Sequence, residues 1–171
     1  MFGKIWKIVS TIILIVLIAL VATMVLPRVF GIKPLVVLSG SMEPKFHVGS
    51  LLYVEKASPD DVEVGDAITF YLGDSDTVVT HRIVVKDQTN QTFTTKGDAN
   101  EENDGAPVPY SNLIGKAIFS IPYLGFLAAY LTTRTGTIVL ITAIIVVLIL
   151  TFIPDLLKED SEHKEGAQVE K

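Results

Sequence analysis

The chain has 171 residues, 49% of them hydrophobic, and a mean hydropathy of +0.48, which is too apolar for an average soluble domain. Its net charge of -5 comes from acidic residues gathered over 58–66, 96–104 and the segment after Asp155, so it has no basic surface suited to nucleic acid, and nucleic-acid binding is set aside. Without a single cysteine, it can build neither a disulfide framework nor a thiolate metal site.

Residues 1–7 carry Lys4 and Lys7 ahead of an uncharged apolar run over 8–27. As a helix, that run is long enough to cross a hydrocarbon core of roughly 30 Å. A cleavable leader has a shorter apolar core, about 7–15 residues, that closes on small residues. This run continues to Leu26 and meets Pro27-Arg28, so a retained anchor is expected. Arg28 and Lys33 follow it, leaving only a mild charge bias that puts the N-terminus in the cytoplasm.

Next comes Val37-Leu38-Ser39-Gly40-Ser41-Met42-Glu43-Pro44, an apolar run that stops at two small hydroxyl residues flanking a glycine. A serine nucleophile needs exposure, a neighbouring base, and donors aimed where an oxyanion will form. Gly40 lets another backbone approach, and Pro44 biases Glu43 away from helix, so the Ser41 hydroxyl is expected on stiff, extended backbone. The Ser41 amide and the Ser39 hydroxyl lie close enough along the chain to serve as the oxyanion donors. An ordinary Ser-Gly-Ser turn is the plainer reading of the same residues.

Strand signals then recur over 51–55, 67–71 and 77–85, separated by turns at 58–61 and 73–76. No stretch here keeps helical periodicity for three turns. Residues 28–134 therefore read as one mainly β, mostly antiparallel domain whose two ends meet the membrane on the same side. In the third strand, period-two geometry puts Thr77, Val79, His81, Ile83 and Val85 on one face. His81 is thus a candidate general base among aliphatic neighbours, since a neutral imidazole can accept a serine proton. A core histidine with a satisfied ring is the plainer reading, and His47 is a rival base by nearness in sequence.

A short strand over 92–95 leads into an acidic loop, Lys96-Gly97-Asp98-Ala99-Asn100-Glu101-Glu102-Asn103-Asp104-Gly105. A histidine base works better when a carboxylate fixes its tautomer, so either Asp98 or Asp104 completes a triad in this reading. A solvated loop is the alternative. The alternating ligands and closing glutamate of a calcium loop are missing, so no metal and no cofactor is expected. A second uncharged apolar run over 135–154 is long enough to cross a bilayer again. The tail over 155–171 alternates in charge and reads as solvated and disordered. Two crossings return that tail to the cytoplasm and leave 28–134 outside it.

Four segments in this order, Ser39-Gly40-Ser41-Met42-Glu43-Pro44, Val64-Gly65-Asp66-Ala67-Ile68-Thr69-Phe70, Thr80-His81-Arg82-Ile83 and Lys96-Gly97-Asp98-Ala99-Asn100, resemble the type I signal peptidases. Order and spacing are similar to the endoplasmic-reticulum and archaeal branch, which some Gram-positive bacteria also carry. The resemblance runs over about 36–125 and takes in Ile114-Gly115-Lys116 and Ile121-Pro122-Tyr123-Leu124-Gly125. It implies a signal-peptidase-like antiparallel β fold, Ser41 as nucleophile, and His81 where the commoner bacterial branch has a lysine base. It also puts Asp98 and Asp104 in the site, with Asp104 in the triad role; Ala99 departs from the family's usual Gly-Asp-Asn-Asn.

The activity implied is that of a membrane-bound serine endopeptidase that removes signal peptides from exported preproteins. Its catalytic domain would stand outside the cytoplasm, at the plasma membrane of a bacterium or archaeon or at the endoplasmic reticulum. An extended substrate pairing with a strand edge shows alternate side chains to one surface, which suits an Ala-x-Ala specificity. Preproteins and the lipid bilayer are the expected partners. Met42 and the stretch over 121–131, with Phe126 and Tyr130, are expected to touch substrate or dip into the membrane surface. A membrane-anchored β domain that binds or helps assemble exported proteins without cutting them is the alternative class.

Overall fold

Strands fill the centre of the chain and helices its two ends, in keeping with period-two alternation between uncharged runs. The computed structural model describes residues 5–152 and divides the chain into two units, Met1–Thr23 with Leu131–Lys171, and Met24–Tyr130. The terminal helices are α1 (Phe2–Val29) and, after a short α2 (Leu124–Thr132), α3 (Arg134–Val169). Two spans, Ile5–Val29 and Arg134–Phe152, are long and apolar enough to cross a membrane. Only 6% and 11% of them is buried, whereas the core helix of a soluble domain is covered by its neighbours. The solvated tail expected over 155–171 lies outside the described residues.

The central unit is one seven-stranded sheet made of β1 (Ile32–Val36), β2 (Leu51–Glu55), β3 (Ala67–Tyr71), β4 (Val78–Asp87), β5 (Thr92–Lys96), β6 (Val108–Pro109) and β7 (Leu113–Ile121). Its order is β1-β2-β7-β3-β4-β5-β6, and every neighbouring pair is antiparallel. The mainly β, antiparallel architecture expected from the sequence is therefore the one observed.

Alternation explains where the cores lie. In β2, Leu52 and Val54 pack with Phe46, Ala67 and Ile114, while Leu51 and Tyr53 turn the other way to pack with Ala128 of α2. Both faces of β2 are thus covered, and the strand reads as a continuous apolar run. On β3, β4 and β5, the side chains of Ile68, Phe70, Ile83 and Phe93 form a further cluster with Val62 and Val108. Removing each from water contributes about 1.5–3 kcal/mol.

Two features escape a local reading. β7 shows no clean alternation, yet it joins the two halves of the sheet, pairing with β2 on one side and β3 on the other. At Gly115 the backbones approach so closely that a Cβ would stand 2.0 Å from the Glu55 carbonyl oxygen. In β4 the expected common face holds for Val79, His81 and Ile83 but fails at Val85, which is 48% exposed. The register against β5 shifts between Ile83 and Val85, and a bulge there puts the following residues out of phase.

The β3–β7 junction carries an ion pair, Lys116 Nζ to Asp66 Oδ2 at 2.7 Å. Partial burial acts to raise the Asp66 pKa. It is outweighed by the hydrogen bonds from Lys116 and from the Glu63 N–H, and by the charges of Lys116 and Arg82, so the carboxyl titrates below its usual range. A folded-state pKa below the unfolded one adds stability that is present above about pH 4 and lost as pH falls through the folded value. The thermal midpoint is therefore expected to drop below about pH 4, and to drop less in Asp66→Asn. The pair is part-exposed, so its share is at most about 1 kcal/mol. Identical pH profiles of the two proteins, followed by circular dichroism, would remove this assignment.

Candidate active site

Just past β1, Val37 is still held to the chain leading into β2, since its N–H donates to Ser50 O at 3.0 Å and its carbonyl accepts the Gly49 N–H at 2.9 Å. Beyond it the chain leaves the strand and coils, contrary to the extended backbone expected around Ser41. The Glu43 N–H donates to Gly40 O at 3.0 Å and the Phe46 N–H to Met42 O at 2.9 Å, which closes successive turns. The Glu43 side chain holds the far end of this loop by accepting the Val48 N–H at 3.2 Å. Ser41 is therefore presented, half-buried, at the head of a turn.

Two contacts fix it there. Its Oγ stands 3.4 Å from Ser39 Oγ, and its carbonyl accepts the Ala99 N–H at 2.9 Å. Gly97 makes the second contact possible, because a Cβ at that position would lie 2.6 Å from the Ser41 carbonyl oxygen. The acidic loop thus reaches the Ser41 backbone through its own glycine.

His81 is 9% exposed, and its ring meets the ring of Phe70 edge-on at 6.4 Å between centroids. Its Nδ1 lies 2.6 Å from Asp104 Oδ2. An ionised carboxylate only accepts, so this contact selects the tautomer with hydrogen on Nδ1 and leaves the Nε2 lone pair free to take a proton. The same Oδ2 accepts the Thr95 hydroxyl at 2.6 Å, while the Asp104 N–H donates to Thr95 O at 2.8 Å. Thr95 is fully buried. Sequence reasoning passed it over, although its place on the Phe93 face of β5 was a usable signal, since a polar side chain on a buried face needs a partner.

Of the two candidate carboxylates, only Asp104 reaches the histidine. Asp98 faces Arg82, which donates from Nε to Oδ1 at 2.8 Å and from Nη2 to Oδ2 at 2.5 Å. Its third donor, Nη1, meets Gly65 O at 2.7 Å. Hydrogen bonding to Asp98 raises the Arg82 pKa further against the opposing effect of partial burial. Among the described residues no hydrogen bond joins Ser41 to His81. They are connected through neighbours, since Arg82 adjoins His81, Asp98 adjoins Ala99, and Ala99 holds the Ser41 carbonyl.

Beside Ser41 opens a cleft of about 370 Å3, lined by residues 35–39 on one stretch and 76–80 on another, together with the buried side chains of Met42, Phe46 and Leu52. A serine on an apolar cleft and an imidazole oriented by a carboxylate are the parts that acyl transfer needs. Among the described residues no group of three or more histidines and carboxylates is gathered as a metal would require. Residues 5–93, just over half of the chain, match the family model for signal peptidase, peptidase S26. The chain belongs to this signal peptidase family.

Individual family members are similar over about half of the chain. Signal peptidase I W of Bacillus subtilis (strain 168) is 47% identical over 90 residues, covering 51% of this chain and 47% of that protein. The human signal peptidase complex catalytic subunit SEC11C is 35% identical over 100 residues, 53% of this chain and 52% of its own length. The chain thus spans about half the length of these curated relatives, and the likeness to SEC11C agrees with the endoplasmic-reticulum-type branch that the motifs imply.

Two further candidates change standing within this family site. The His47 Nδ1 pairs with Glu43 Oε2 at 2.5 Å and its side chain is 57% exposed, so the rival base is engaged by the acid of its own loop. Met42, expected to touch substrate or membrane, is 3% exposed and packs with Phe46, Leu52 and Val54. The membrane half of that expectation is corrected: a side chain covered by the domain core cannot reach lipid, although Met42 lines the cleft from within.

Proposed function

We propose that this chain is a membrane-bound serine endopeptidase that removes N-terminal signal peptides from exported preproteins. The observation that carries the reading is the 2.6 Å contact between His81 Nδ1 and Asp104 Oδ2, in the same unit as a serine that opens onto an apolar cleft. His81 Nε2 takes the Ser41 hydroxyl proton as Oγ bonds to the scissile carbonyl carbon. The carbonyl oxygen becomes an oxyanion facing the Ser41 N–H and the Ser39 hydroxyl, whose nearness to Ser41 Oγ supports that role. Collapse breaks the C–N bond, with the proton passing from His81 to the leaving amine, and water then hydrolyses the acyl-enzyme by the same route in reverse. Asp104 keeps the ring oriented, and Asp98 acts at one remove by holding Arg82.

A preprotein lies in the cleft as an extended strand between residues 35–39 and 76–80, so that side chains two apart meet the same wall. Met42, Phe46 and Leu52 give it an apolar lining, which suits the small apolar side chains of Ala-x-Ala sequences. The spans Ile5–Val29 and Arg134–Phe152 anchor the chain in the plasma membrane or endoplasmic reticulum, with residues 28–134 on the extracytoplasmic side and both termini in the cytoplasm. Phe126 and Tyr130, both exposed on α2, meet the membrane surface.

The full chain in detergent is expected to cut a preprotein bearing an Ala-x-Ala site once, after the second alanine, as read by mass spectrometry of both products. Changing that alanine to a bulky aromatic should stop the cut. An intact preprotein that nonetheless stays bound would favour the non-catalytic binding domain instead.

A further inference from the structure

A second depression of the central unit lies where α1 passes into β1 and meets the cleft only at Leu35. It measures about 500 Å3 and is lined by Arg28, Lys33 and Lys56 together with Gly31, Ile32, Pro34 and Leu35. All three cationic side chains are exposed, and no carboxylate lines the depression. Lys33 stands opposite Val54 in the β1–β2 register, so strand alternation puts Lys33 and Lys56 on one face of the ribbon. Glu55, the nearest acid in sequence, pairs with Ile32 and belongs to the opposite face. Among the described residues, none of the three cations takes part in an ion pair. Three like charges around an apolar floor repel one another, and the arrangement has no use inside the fold.

Its place in the chain says what would satisfy it. Arg28 lies within the last turn of the span Ile5–Val29, and the two residues after it, Val29 and Phe30, are 78% and 73% exposed. A helix end carrying exposed apolar side chains beside cations suits the boundary between acyl chains and headgroups. We propose that Arg28, Lys33 and Lys56 form a binding site for the phosphate of an anionic glycerophospholipid. The acyl chains run back along α1 past Val29, and the phosphate sits between the three cations against Leu35, which shares the Lys33 face. The inference rests on α1 crossing the bilayer and is independent of the catalytic reading.

Each cation near an anionic surface changes affinity about fivefold, so three together give on the order of a hundredfold. The experiment titrates tail-labelled phosphatidylglycerol and phosphatidylcholine against the full chain in neutral-detergent micelles. Phosphatidylglycerol is expected to bind on the order of a hundredfold more tightly. The triple variant Arg28→Gln, Lys33→Gln, Lys56→Gln should lose that preference, whereas Lys45→Gln, with its charge elsewhere, should keep it. Lys56→Gln alone, an exposed single change that leaves the sheet intact, should lose about fivefold. Equal binding of the two lipids, or an unchanged triple variant, overturns the site. Displacement by inorganic phosphate at matched concentration would overturn the lipid and assign a free phosphate. Self-association of the triple variant with lipid preference intact would assign Lys33 to protecting the β1 edge. Alkaline carbonate extraction of the chain from liposomes tests the spanning helices separately, so loss of the lipid site and loss of the anchor are told apart.

Discussion

Ser41→Ala and His81→Ala are each expected to lower kcat for preprotein cleavage by about ten-thousandfold or more, with the double variant no worse than either alone. The non-additivity is the informative part. In the proposed mechanism nucleophile and base act in one step, so once Ser41 is gone the imidazole would have no proton to accept. KM should change little, because neither replacement alters the walls made by residues 35–39 and 76–80. The two variants differ in their effect on the fold. Ser41 is half-buried, with Ser39 as the partner of its hydroxyl, so alanine costs little stability there. His81 is almost covered and meets Phe70 and Asp104, so His81→Ala leaves a cavity and a carboxylate held by Thr95 alone. Circular dichroism must therefore accompany the kinetics. A folded Ser41→Ala that keeps more than about a tenth of wild-type activity would end the serine-nucleophile reading.

Asp104→Ala is the second large effect, and it separates two carboxylates that spacing alone treats alike. Without Asp104 the His81 ring loses the acceptor that selects its tautomer, and kcat is expected to fall by about a thousandfold or more. The fully buried Thr95 hydroxyl loses its acceptor too, at a cost of roughly 1–3 kcal/mol in stability. Asp98→Ala acts differently. It frees Arg82 from a two-pronged contact and loosens the loop whose Ala99 N–H holds the Ser41 carbonyl, so about a tenfold loss is expected while the His81–Asp104 pair stays intact. Full activity in both variants would remove the triad, and a larger loss in Asp98→Ala than in Asp104→Ala would exchange their roles.

Local pattern was informative where chemistry depends on neighbours in the chain. The uncharged runs, the two-residue period that puts His81 beside Ile83, and the serine pair around Gly40 are all properties of a few consecutive residues. The same kind of reading failed at Val85, where a bulge changes the phase, and at Ser41, where N–H groups three and four residues beyond their carbonyl acceptors close turns that no propensity announces. It failed for Met42 as well, because exposure depends on what packs over a side chain, and the covering residues Leu52 and Val54 come from β2, outside its own loop.

From the sequence alone came two candidate membrane spans, a β domain between them, and the serine, histidine and acids that make a hydrolytic site conceivable, because apolar run length, pleat period and side-chain chemistry are local. Only the tertiary structure decided that Asp104 rather than Asp98 meets His81, that Thr95 supports it, and that β7 joins the halves of the sheet. Those outcomes depend on strand register and on a loop folding back over Ser41, and register is set by pairing between residues far apart in the chain.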